Sequence, residues 1–292
     1  MAIWTDVAAN VAAGIEGLLV DGTPYGAESF VAETAVRAGF AVWYGTDVAT
    51  TRKQVIPVPA VAATYPADVD AIAVDLASAA AAARYTAVAD LDGIIGIERI
   101  YPPRAVTCDW DANANWDGPL GYTQVEVFGE DANGDPISEV LYRPNVGAVA
   151  HAEETRQCFS RVHTVDVSAS NGAGGTLDVG VSPVRVELGR LDCPGVALYT
   201  PAREASATAA VTFDAGETLA VCHKGVIWAV AVDAVVPGDI CTVRIAAGGG
   251  GLGSLSGTEA FPTGGNFAKL LGARWMTAAA AGGLARLALG GV

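Results

Sequence analysis

At 292 residues, with 51% apolar and 17% charged residues, the chain has the balance of a folded protein rather than a disordered one. Its net charge of −15 comes from 17 Lys plus Arg against 32 Asp plus Glu, with Arg52-Lys53 the only adjacent basic pair. That excludes a cationic face able to displace counterions from phosphates, and with it direct nucleic-acid binding. No basic-then-apolar leader is evident, and the longest aliphatic stretch, residues 226–236, is broken by Asp233 and too short for a bilayer, so no membrane partner is expected.

Residues 1–20 are small and apolar, with Gly14 and Gly17 weakening a helix. A turn cluster follows at residues 21–26. Residues 38–44 and 55–61 read as strands, the second an edge strand or extended arm because Pro57 and Pro59 cannot donate to a ladder. Residues 68–84 have the spacing of a helix: Val69, Ile72, Ala73, Leu76, Ala80 and Ala83 share one stripe, Asp68 can cap it, and Arg84 suits its C-terminal dipole. The stripe is mostly alanine, which suggests a spacer or docking helix.

Tyr101-Pro102-Pro103-Arg104 opens a run of short alternating segments. Residues 123–128 and 137–142 flank Asn133-Gly134, a signal for a tight primed turn with positive φ at both central residues. Residues 162–167 and 177–181, separated by a Gly-rich turn at 171–175, complete the spacing of a β-sandwich. From Val196 strands and turns resume, with a glycine-rich loop at 248–257 and a closing hairpin turn at Gly282-Gly283. The five cysteines, Cys108, Cys158, Cys193, Cys222 and Cys241, are odd in number and form no Cys-x-x-Cys, which predicts buried free thiols from a reducing cytosol.

Chemical constellations fall short one by one. Gly248, Gly250 and Gly253 match Gly-x-Gly-x-x-Gly, but Ser, Gly and Pro follow where a phosphate-binding helix should start, so no cofactor is expected. Asp109-x-Asp111-x-Asn113 and Asp131-x-Asn133-x-Asp135 begin like calcium loops, yet Leu120 and Tyr142 stand at the bidentate position. His151-Ala-Glu153 lacks the cysteine motif of zinc deaminases, and Cys222-His223, adjacent in a strand, point to opposite faces. Cys158 with His163 would become catalytic only through tertiary placement, and Glu153-Glu154 reads as a solvated face rather than an acid–base pair. No catalytic or metal residue is assigned, and an enzyme is not expected. Trp43, Trp228 and Trp275 lie in apolar runs and read as core, whereas Trp110 and Trp116 sit among Asp and Asn and are the candidates for exposed contacts.

The order of several loose motifs is more specific than any one. Ala13-Gly-Ile-Glu-Gly-Leu-Leu-Val-Asp, Ala38-Gly-Phe-Ala-Val-Trp-Tyr-Gly-Thr-Asp, Gly195-Val-Ala-Leu-Tyr, Lys224-Gly-Val-Ile-Trp and Gly272-Ala-Arg-Trp-Met-Thr together resemble tailed-phage capsid decoration, or structural cement, proteins. The middle, from Pro103-Arg-Ala-Val-Thr through Val127-Phe-Gly-Glu-Asp-Ala-Asn-Gly-Asp to Phe159-Ser-Arg-Val-His-Thr-Val, resembles a module carried by phage structural proteins. The resemblance implies a mainly β fold: a discontinuous β-barrel-like cement domain from residues 1–60 and 187–292, a helix and linker at 61–100, and an inserted β-sandwich at 101–186. It implies a non-enzymatic virion protein, assembled in the host cytoplasm, whose trimers bind the outer capsid and bridge major capsid protein subunits. A virion fibre or head module that binds host carbohydrate through Trp110 and Trp116 is the alternative.

Overall fold

The computed structural model describes residues 17–20, 25–45, 53–59, 68–86, 91–93, 95–96, 98–100, 102–189, 192–199, 211–246, 251–258 and 266–290. Most of the N-terminal small-residue run, four residues of the 21–26 turn cluster, Arg52 and the first glycines of the 248–257 loop lie outside them. The chain divides into two compact units: residues 1–63 with 188–292, and residues 64–187.

In the first unit, β1 (Gly26–Ala32), β2 (Val36–Arg37), β3 (Ala41–Tyr44) and β4 (Gln54–Pro57) come from the N-terminal side. After the second unit the chain adds β13 (Gly195–Ala197), β14 (Thr212–Phe213), β15 (Thr218–Val230), β16 (Ile240–Arg244), β17 (Leu255–Thr258), β18 (Phe267–Trp275) and β19 (Leu284–Leu289). Pairing runs β1–β4–β3–β13–β15 and returns to β1, a closed circuit of five strands. Phe30 stands opposite Leu219 across β1 and β15, and Val42 opposite Gly195 across β3 and β13. The inward residues of this circuit, among them Phe30, Val42, Val55, Leu219 and Val221, form one apolar cluster with Phe213 of β14. Burial of each large aliphatic there is worth roughly 1.5–3 kcal/mol.

The long β15 serves two ladders. Residues 218–224 close the circuit, and Gly225 to Val230 pair with β19. Gly195 lies against this bend: its φ is +145°, and a Cβ there would meet the Cys222 carbonyl oxygen at 2.0 Å, so only glycine lets β13 come this close. The β18–β19 hairpin turns at Gly282 with φ +75°, as the Gly-Gly signal predicts.

The second unit holds β5 (Asp68–Ala77), β6 (Ala83–Tyr85), β7 (Arg104–Trp110), β8 (Tyr122–Glu130), β9 (Pro136–Pro144), β10 (His151–Phe159), β11 (Arg161–Val167) and β12 (Thr176–Leu188). One antiparallel set runs β5–β12–β7–β10 and the other β6–β11–β8–β9. Both contribute to a single core that includes Ile72, Trp110, Trp116, Val125, Phe159, Val165 and Leu177. Along β8, buried and half-buried residues alternate without a break, the period of a strand with one face in the core.

The Ala-rich helix expected over residues 68–84 is not there. The segment is β5 and β6, paired with β12 and β11, and the described residues hold only one helical element, a 3-10 turn at Ala114–Trp116. Long-range pairing overrides local alanine propensity here: Ala71, Ile72, Ala73 and Leu76 are buried as a strand, and Asp75 takes a positive φ of 53° at an irregularity where its N–H donates to Asp178 Oδ1 at 2.9 Å. The β8–β9 turn also differs from expectation. Of Asn133 and Gly134 only the glycine has positive φ, and the Asp131 carboxylate organises the loop by accepting the N–H groups of Asn133 and Asp135.

Candidate functional site

Trp110 and Trp116 are fully buried, which overturns their assignment as exposed contacts. The polar residues around them serve the fold: Asp111 bonds to one ring, and Asn113 and Asn115 bond to the backbone. Trp116 Nε1 donates to Asp111 Oδ1 at 2.8 Å and to the Thr176 carbonyl at 3.2 Å. Asn113 caps the short turn by accepting the Asn115 N–H, and Gly175 leaves room for the indole, since a Cβ there would sit 2.4 Å from Nε1. Trp110 packs on the His151 ring, with centroids 5.7 Å apart. The first calcium-like motif is therefore spent on seating a tryptophan, and the second on turning a hairpin. Trp43 and Trp275 are core, while Trp228 is half-buried with the Arg286 guanidinium 5.1 Å above its ring.

The remaining chemical candidates are dispersed. All five cysteines are free and buried. Burial pushes the thiols of Cys108, Cys222 and Cys241 up, and that of Cys193 up to about 12, because a thiolate would lose its hydration there. His163 Nε2 lies 3.0 Å from Glu130 Oε1, not beside Cys158, whose Sγ donates to the Arg185 carbonyl at 3.5 Å. Among the described residues no group of three or more His, Cys, Asp or Glu is placed to hold a metal ion.

The surface offers two built features instead. The first, which sequence reasoning missed, is a tip of the second unit made by residues 117–122 and 143–150. Its anchor is Arg143, wholly buried, with Nη1 3.1 Å from Asp117 Oδ1 and Nη2 donating to the carbonyls of Gly147 at 2.8 Å and Val149 at 3.1 Å. Asn145 ties the two loops, donating to the Gly118 carbonyl and accepting the Gly118 N–H. On this braced frame Leu120 is 75% exposed, Val149 56%, Tyr142 48% and Val146 40%. The Tyr122 and Tyr142 rings meet edge to face at 5.4 Å beside them. The legible signal was a leucine between Pro119 and Gly121, where a turn would place it in water.

The second feature is a groove of about 410 Å³ in the first unit. It opens where β18 slips against β16: Thr242 pairs with Lys269, but Ile240 pairs with Arg274. Leu271, Gly272, Ala273, Met276 and Ala288 line it, and its only charged lining residues are Lys269 and Arg274. Charge also divides between the units. Residues 64–187 hold 19 acids against 7 bases, and the rest of the chain 13 against 10.

In regular structure the described residues are almost wholly β, and they carry shaped apolar surface at the Arg143-braced loops and in the groove between β16 and β18. Residues 145–290, half of the chain, match the model of the family described as structural cement protein (E217 gp24/Pam3 gp6). The chain belongs to this family of phage structural cement proteins, a capsid-associated and structural class rather than an enzymatic one. No curated protein matches it.

Proposed function

We propose that this protein binds the outer surface of a phage capsid and stabilises the shell by bridging major capsid protein subunits. The match to the structural cement family over residues 145–290 carries this reading. The mechanism is mass action: a protein that binds only the assembled lattice lowers its free energy by the binding free energy, and many copies multiply the effect. The first unit, with its five-strand circuit as a barrel-like body, supplies the grip, which its near balance of charge supports. The second unit, read as a sandwich of its two strand sets, carries most of the acidic excess, which keeps particles apart in solution. Trimers assembled in the host cytoplasm are the expected form.

The carbohydrate-binding alternative rested on Trp110 and Trp116 and loses its basis with their burial. Capsids assembled without this protein provide the test. Added protein should bind them stoichiometrically and raise their disruption temperature; no binding and no change in that temperature would end the proposal.

A further inference from the structure

We infer that the Arg143-braced tip of the second unit is a contact between neighbouring copies of this chain, made when copies stand side by side on a shell. The inference rests on the capsid-binding reading for the array, and on the structure for the contact. Three of the exposed large apolar side chains, Leu120, Val146 and Val149, lie on two loops fixed to one another by Asn145 and to the fold by Arg143, and a fourth, Tyr142 at the end of β9, packs on Tyr122 beside them. A buried guanidinium is costly to desolvate, and here its bonds hold an apolar loop in water in one conformation. Such an arrangement lowers the ordering cost of a contact, not of the monomer.

Charge selects the occupant. The second unit carries 19 acids against 7 bases, so most approaches between two copies of it are repulsive. Residues 117–122 and 143–150 contain a single acid and a single base, Asp117 and Arg143, and these neutralise each other at 3.1 Å. The nearest flanking acid, Glu153, already accepts the Tyr142 N–H at 3.1 Å and lies 3.8 Å from His151 Nε2. The tip is thus a place where two of these acidic units can meet without like charges opposed.

Area sets the strength. A patch of this kind covers a few hundred Å², below the roughly 800 Å² per partner of a stable interface. Alone it gives weak association; between copies already held by the capsid, the high effective concentration makes it count, and binding becomes cooperative.

The experiment uses the native chain, whose five cysteines are all buried, with one surface thiol added. Leu120→Cys, Val149→Cys and a control in the β8–β9 turn, Asp135→Cys, are bound to capsids lacking the protein and treated with a short bismaleimide. Copy-to-copy cross-links are expected from positions 120 and 149 and not from 135. The double variant Leu120→Asp/Val149→Asp should keep its near-ultraviolet circular dichroism and still bind capsids, but without cooperativity and about tenfold more weakly. Fully occupied capsids with no cross-link at 120 or 149 would overturn the inference while leaving capsid binding intact. So would loss of all capsid binding by the double variant in the absence of cross-links, which would assign the tip to the capsid protein. If the unmodified chain does not bind capsids, the capsid reading falls, and cross-linking in solution at millimolar protein decides the tip by itself: cross-links at 120 or 149 retain the copy-to-copy contact, and their absence ends it.

Discussion

Replacing Arg143 with methionine tests whether the tip is braced as described. The change preserves a long apolar stem and removes the guanidinium. Asp117 then loses its 3.1 Å partner, and the carbonyls of Gly147 and Val149 lose their donor. Removing one member of a buried ion pair costs about 3–5 kcal/mol, because the other charge stays behind. Asp117 is 21% exposed, regains part of its hydration and keeps the Gly147 N–H at 3.2 Å, which places the loss near the lower end, about 3 kcal/mol. That corresponds to a melting midpoint roughly 10 °C lower for a unit of this size. Urea unfolding of Arg143→Met followed by tryptophan fluorescence reads the loss, and hydrogen exchange localises it to residues 145–150. Pairing Arg143→Met with Asp117→Asn should recover part of it, since no buried charge is then orphaned. A single-variant loss under about 1 kcal/mol, or strict additivity in the pair, would refute the reasoning.

Gly195→Ala should destabilise the first unit by about 3 kcal/mol or prevent its folding, because φ is +145° and the new Cβ overlaps the Cys222 carbonyl; an unchanged melt would contradict the close approach. The thiols should resist alkylation in the native state and react fully in denaturant, as mass spectrometry can count. Since the folded thiol of Cys193 is raised from its ordinary 9.0 to about 12, the unfolded chain loses its proton first. Stability is then complete below about pH 9 and falls as pH rises toward 12, and a flat urea midpoint across that window would contradict the burial. A fragment of residues 64–187 should melt cooperatively, whereas one starting at residue 101 should be less stable, because it lacks β5 and exposes Leu177 and Val179; equal stability would show that β5 adds nothing.

The β content was legible because alternation and turn chemistry are local: residues 123–128 and the Gly282 turn could be read from a few neighbours. β5 was not, because alanine suits either element and the deciding partner, β12, begins about 100 residues later in the chain. The tryptophans failed for a related reason. Asp111 and Asn113 look solvent-directed in sequence, and only the fold shows one aimed at an indole and the other at the backbone. Family membership was readable from the order of motifs. The tip was hidden because its apolar residues, 120, 142, 146 and 149, are separated in the chain, and a hairpin and one buried arginine bring them together.

The circuit in which β1 pairs with β15 also imposes a timetable on synthesis. Phe30 waits for Leu219, across a stretch of chain that contains the whole second unit and more. At roughly 5–20 residues per second, the early strands spend about 10–40 s without their partner. During that interval residues 64–187 have emerged complete and can collapse on their own core, turning a long tether into a compact one. The closing step is then a short search between two strand sets rather than a wide one, and it shortens the time for which bare strand edges are open to other nascent chains of the same protein.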